Sequence, residues 1–171
     1  LETKIFESYG MTETITHIAL KGISEEFFTT LNRISIRKDE RDCLVIKTPY
    51  FEEEIITNDI IEIKDKHEFK WLGRFDNVIN SGGIKLFPEQ IESKLKPFIQ
   101  EEFIISSLPD KILGQKLILI IEGESTNLEL RTSNLAKFEV PKEIYFVQEF
   151  PRTESGKIKR NEILDLVKKQ F

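Results

Sequence analysis

Cysteine occurs once, at Cys43, so no internal disulfide can form, and His17 and His67 alone fall short of a Cys/His zinc cluster. A reducing, cytoplasmic setting is the expectation for such a chain. Long apolar runs are missing. Leu117 to Ile121 is far below the ~20 residues a membrane helix requires, and the opening residues, with Glu2, Lys4 and Glu7, lack the apolar stretch of a signal peptide. Neither secretion nor membrane insertion is indicated. An excess of positive charge is also absent: 25 basic against 30 acidic side chains give a net charge of -5, which disfavours a general nucleic-acid binder. No internal repeat or low-complexity segment occurs. What is present, 171 residues with 39% hydrophobic and 32% charged side chains, suits one domain or two small ones with a core that needs no staple.

Glycine and proline are unevenly spread. Only Pro49 of six prolines precedes residue 88, and three of eight glycines, Gly73, Gly82 and Gly83, fall in one short stretch. Charge shifts there too, from 10 basic and 15 acidic groups over 1–72 to 15 of each over 73–171. The expectation is a β-rich unit over 1–72 and a small α+β domain over 73–171, with the junction near Gly73 to Asp76. In the first, Ile15 to Lys21, Asn32 to Arg37, Cys43 to Lys47 and Ile60 to Lys64 read as strands. In the second, an extended segment at Asn77 to Asn80 leads to a helix opening at Pro88, with Ile91 and Leu95 on one face. Strands at Phe103 to Leu108 and Lys116 to Glu122 follow, parted by a turn at Pro109-Asp110 and Gly114. A helix capped by Asn127, a strand at Ile144 to Val147 and a last helix at Asn161 to Lys169 complete the order β-β-α-β-β-α-β-α.

Three constellations can carry chemistry. In Tyr9-Gly10-Met11-Thr12-Glu13, the glycine permits close backbone approach, Thr12 can bond a phosphate oxygen and Glu13 can hold Mg²⁺; the same residues can equally form a turn with a helix-capping threonine. In Gly73-Arg74-Phe75-Asp76 through Ser81-Gly82-Gly83-Ile84-Lys85 to Pro88-Glu89-Gln90-Ile91-Glu92, the arginine and aspartate can serve as a ligand grip and a pivot. The bland alternative is a surface salt bridge and a glycine hairpin. In Pro151-Arg152-Thr153-Glu154-Ser155-Gly156-Lys157, Lys157 on a flexible glycine loop can bring charge to a phosphate or carboxylate, or can simply be solvated. Lys159 and Arg160 are read as solvent-exposed.

In their order along the chain these residues resemble the adenylate-forming superfamily of acyl-CoA synthetases, peptide-synthetase adenylation domains and luciferases. The phrase from Thr57-Asn58-Asp59 through Trp71-Leu72-Gly73-Arg74 to Glu92 looks like the o-succinylbenzoate CoA ligases of menaquinone synthesis. The resemblance implies an acid-thiol ligase that uses ATP, Mg²⁺ and coenzyme A on a small-molecule carboxylate. By it, Tyr9 lies against adenine, Thr12 contacts the adenylate phosphate, Glu13 binds the metal, Asp59 holds the ribose hydroxyls with help from Arg74, and Asp76 is the hinge. Lys157 becomes the adenylation lysine, and Ser81, Gly82, Gly83 and Ile84 line the thiol channel. Asn58 stands where the family has glycine, and its Gly-Glu-Leu segment is not recognisable. The family's triphosphate loop, adenine walls and acyl pocket would lie upstream of Leu1, so the chain is expected to be a C-terminal fragment, inactive without its N-terminal domain. A carrier-protein-loading adenylation domain and a non-catalytic binding module of the same fold are the competing expectations.

Overall fold

The computed structural model describes residues 3–124 and 134–170. The chain divides into two compact units, 1–76 and 77–171. The division falls after Asp76, four residues beyond the expected boundary, because the last strand of the first unit runs through Gly73 and Arg74.

The first unit is built of seven strands: β1 (Phe6–Gly10), β2 (His17–Gly22), β3 (Phe28–Thr30), β4 (Ser35–Lys38), β5 (Cys43–Lys47), β6 (Ile55–Ile63) and β7 (Glu68–Arg74). They form one antiparallel sheet in the order β1-β2-β3-β7-β6-β5-β4. Period-2 alternation sends Leu44 and Ile46 of β5 into a core with Ile18, Phe28, Ile36, Ile61 and Phe69. Phe69 is wholly buried, a contribution of roughly 1.5–3 kcal/mol. The β6–β7 connection is set by Asp65, whose Oδ1 accepts the N–H groups of His67 (2.7 Å) and Glu68 (2.9 Å).

In the second unit a hairpin of β8 (Ile79–Ser81) and β9 (Ile84–Leu86) precedes α1 (Pro88–Leu95); β10 (Phe103–Asp110), β11 (Gly114–Glu122), β12 (Glu143–Val147) and α2 (Arg160–Lys168) follow. β11 is the centre of this sheet, antiparallel to β10 on one side, parallel to β12 and antiparallel to β8 on the other. Its run Leu117–Ile121 is buried on both faces. Leu117, Leu119 and Ile121 pack with Ile91 and Leu95 of α1, while Ile118 and Ile120 pack with Ile163 and Val167 of α2. That two-sided cover explains why the run is continuous rather than alternating. Strand β10 extends through Pro109, which was expected in a turn; β10 is an edge strand, where a missing N–H is tolerated. The expected helix capped by Asn127 lies outside the described residues except for its far end, where Leu135 packs on the α1 side of the sheet. The small α+β architecture expected from the sequence is what the unit adopts. Among the described residues no helix is long and apolar enough to cross a membrane.

Candidate functional site

Strand register assembles the site of the first unit. Tyr9 lies near the end of β1, opposite Ala19, and its ring packs edge-on to Phe69 (5.2 Å) and tilted against Phe28 (5.8 Å). Gly10 is required at the next position, since a Cβ there would come within 2.7 Å of the His17 Cα. Across the sheet, Asp59 of β6 is the direct partner of Arg74 of β7. The Tyr9 hydroxyl donates to Asp59 Oδ2 (2.5 Å), and Arg74 Nη1 lies 3.7 Å from Oδ1, so two elements far apart in sequence converge on one buried carboxylate. Burial, followed by the hydrogen bond to Asp59, raises the Tyr9 pKa far above the ordinary tyrosine range and keeps the phenol a donor. Beside these groups is a cleft of about 250 Å³ lined by Tyr9, Asp59, Phe28, Trp71, Glu7 and Ser8.

Thr12 and Glu13 sit on a 3₁₀ turn, Thr12–Thr14, directly after β1. The residue that holds the turn is Thr14. Its buried hydroxyl accepts the Met11 N–H (3.0 Å) and donates to the Thr16 carbonyl (2.7 Å), which leaves Thr12 and Glu13 facing solvent. Ile15 closes the turn at φ +64°, a costly conformation for a β-branched residue, and such strain clusters at functional sites. Among the described residues no group of three or more His, Cys, Asp or Glu could hold a metal ion. Glu13 is a single exposed carboxylate on this turn, with no cluster of further carboxylates around it among the described residues.

Asp76 receives Asn58 Nδ2 (3.3 Å) and lies 3.6 Å from Arg74 Nη2. Sequence reasoning missed Arg41. Its guanidinium bonds Asp39 (2.9 Å), Asn58 Oδ1 (2.8 Å) and the Thr57 carbonyl (3.0 Å), and lies 5.2 Å from the Phe75 ring. The side chain of Asn58, which stands where the family has glycine, thus links Arg41 to Asp76. Its pairing with Asp39 is local, but nothing in a short window marks its contacts to Thr57 and Asn58, which lie 16 and 17 residues away.

In the second unit, Ser81–Ile84 is the exposed tip of the β8–β9 hairpin, with Gly82 at φ +60° and Gly83 at φ +83°, as a two-residue turn demands. Lys157 is exposed on the connection from β12 to α2 and has no ion pair with a described residue. Its loop was expected to be flexible and Arg160 to be solvated. Arg152 and Ile158 form a β-bridge that closes the loop, and the structure corrects the second reading: Arg160 is half-buried against Glu92 (2.6 Å).

No known protein-family model matches the chain. Mitochondrial acyl-coenzyme A synthetase ACSM4 of Mus musculus is 31% identical over 162 residues, 86% of this chain and 27% of that protein. A 2-succinylbenzoate–CoA ligase of Bacillus cytotoxicus is 27% identical over 206 residues, 97% of this chain and 42% of that protein. Among solved structures, o-succinylbenzoate coenzyme A synthetase of Bacillus subtilis, in complex with ATP and magnesium ion, superposes with a TM-score of 0.78 at 22% identity over 95% of this chain and 42% of that one. The chain is a homologue of the C-terminal part of adenylate-forming enzymes. The chain spans between about a quarter and less than half the length of these relatives.

Proposed function

We propose that the chain works as the C-terminal part of an ATP-dependent carboxylate–CoA ligase, with o-succinylbenzoate as its carboxylate. The observation that carries this reading is the convergence of Tyr9 and Arg74 on the Asp59 carboxylate beside a cleft that Tyr9 and Asp59 line, since an aromatic face beside a buried carboxylate suits a nucleoside's base and diol. The kinship with 2-succinylbenzoate–CoA ligase over nearly the whole chain supports the substrate.

On this reading the ligase first joins the carboxylate to the α-phosphate of ATP with loss of pyrophosphate; the thiol of coenzyme A then displaces AMP to give the thioester. Asp59 accepts hydrogen bonds from the ribose hydroxyls, with Arg74 holding its other oxygen, and Tyr9 stacks its ring on the adenine. Thr12 bonds the α-phosphate. Glu13 would hold Mg²⁺, which when bound offsets phosphate charge. Negative charge grows on the phosphate oxygens as the carboxylate attacks, and Lys157 places a compact cation there. The second step requires the lysine to leave and a thiol path along Ser81–Ile84 to open. One small domain serves both if it turns about Asp76, where the two compact units meet in the chain. An N-terminal domain of the same protein supplies the rest of the nucleotide and acyl pockets.

The deciding experiment is Lys157→Ala in the full-length protein, with the half-reactions measured separately. Adenylation should slow by about 10²–10³-fold, roughly 3–4 kcal/mol, as for loss of one charge-stabilising donor. Thioester formation from preformed acyl-adenylate should change by no more than about threefold. An equal loss in both steps would remove Lys157 from the adenylation chemistry.

A further inference from the structure

The loop that carries Lys157 is a hydrogen-bonded hairpin. The Thr153 N–H donates to the Lys157 carbonyl (2.8 Å), the Lys157 N–H to Thr153 Oγ1 (3.0 Å), and the Gly156 N–H to the Thr153 carbonyl (2.8 Å). Both ends are anchored. On the incoming side Arg152 pairs with Glu122 of β11 (2.9 Å), whose other oxygen accepts the Phe150 N–H (2.6 Å). On the outgoing side, three residues past Lys157, Arg160 grips Glu92 of α1 with both terminal nitrogens (2.8 and 2.6 Å) and also donates to the Ile105 carbonyl (3.2 Å). Glu92 in turn accepts the Ile105 N–H (2.7 Å), which ties the pair into β10.

The two anchors are unequal. Side-chain exposure is 36% and 23% for Arg152 and Glu122 but 27% and 18% for Arg160 and Glu92, and only the second pair is bidentate. A planar fork on a carboxylate fixes orientation as well as distance, which a lysine ammonium at the same place does not. Burial works against the Arg160 charge, yet the Glu92 bond and charge outweigh it and hold its pKa above the ordinary value.

We propose that Arg160, locked by Glu92, is a positioning residue that fixes the hairpin from which Lys157 reaches the reacting phosphate. This rests on Lys157 being the adenylation lysine. An ammonium displaced by about 1 Å loses much of its effect on a transition state, since misplacement on that scale can cost as much as 10²-fold.

The test uses the full-length protein with ATP and the carboxylate it adenylates, o-succinylbenzoate first. Arg160→Lys keeps the charge and removes the fork; Glu92→Gln keeps the shape and removes the charge. Each should lower kcat for pyrophosphate release about tenfold with the KM for ATP within about twofold, and should speed hydrogen exchange at the Lys157 amide about tenfold. In a Lys157→Ala background neither should cause further loss, because residues acting through one another are not additive. Equal fold losses in both backgrounds, with a lowered melting temperature, would overturn the proposal and make Arg160 a fold-stabilising residue only. Wild-type adenylation by Arg160→Lys alongside an impaired Lys157→Ala would overturn positioning while sparing the reading of Lys157. Wild-type adenylation by Lys157→Ala would overturn that reading itself.

Discussion

The two units hold their candidate functional groups in opposite ways. In the first, Tyr9, Asp59 and Arg74 project from paired strands of one sheet, and no α-helix occurs among that unit's described residues. In the second, helices cover both faces of the sheet; Gly82 and Gly83 form the turn between β8 and β9, and Lys157 lies on the connection from β12 to α2. Strand-borne groups are placed by register, where a slip of one residue would send Asp59 to the other face. Turn-borne groups have no register and depend on hydrogen bonds and ion pairs for their place. The difference suits the proposed reaction, in which the nucleotide stays in place and the Lys157 cation comes and goes.

The largest effect should come from the sheet of the second unit. Leu119→Ala removes a fully buried side chain beneath α1 and should lower that unit's stability by about 2–5 kcal/mol, whereas Ile56→Ala, 65% exposed on β6, should stay within about 0.5 kcal/mol. Urea unfolding of each variant checks this, and similar losses would erase the contrast between the sheets. Next is the strand-borne carboxylate. Asp59→Asn in the full-length protein should weaken ATP binding by about 1.5–3 kcal/mol, roughly 10- to 150-fold, read by calorimetry. An unaltered affinity would mean that the cleft is not the ribose site.

A smaller, step-specific effect is expected at the division between units. Asp76→Pro restricts φ near -65° and should retain adenylation while slowing thioester formation at least about tenfold; Asp76→Ala should retain most of both. Equal losses in the two half-reactions of the proline variant would put the pivot elsewhere. Smallest is Tyr9→Phe, and its signature is in pH. The folded state raises the Tyr9 pKa, so the unfolded chain releases that proton first, and stability falls as pH rises above about 10 by up to ~1.4 kcal/mol per unit. Tyr9→Phe should remove that part of the alkaline slope, as pH-dependent melting will show.

Much of this was readable from pattern alone. Cys43–Lys47 appears with the expected bounds, and Pro88 opens α1 because a first-turn proline gives up no hydrogen bond. The last helix was legible from Ile163, Leu164 and Val167, of which the first and third are buried. Three strands were not. β3 is three residues long, β1 drew notice only for its chemistry, and β7 mixes charges with Gly73, so its strand character comes from pairing with β6. Pairwise contacts were the least legible. The partners in Tyr9–Asp59 and Arg160–Glu92 are 50 and 68 residues apart, and nothing within a short window tells a paired arginine from a solvated one.

The two-sided burial of Leu117–Ile121 also bears on how the protein is made. Five consecutive apolar residues without charge or proline are the kind of segment that associates with its like when left uncovered. One of its covers, α1, precedes it on the ribosome, but the other contains Val167, 46 residues further on. At about 5–20 residues per second that face waits roughly 2–9 s for its helix. Truncations before α2 should therefore be lost to aggregation rather than accumulate as soluble partial domains.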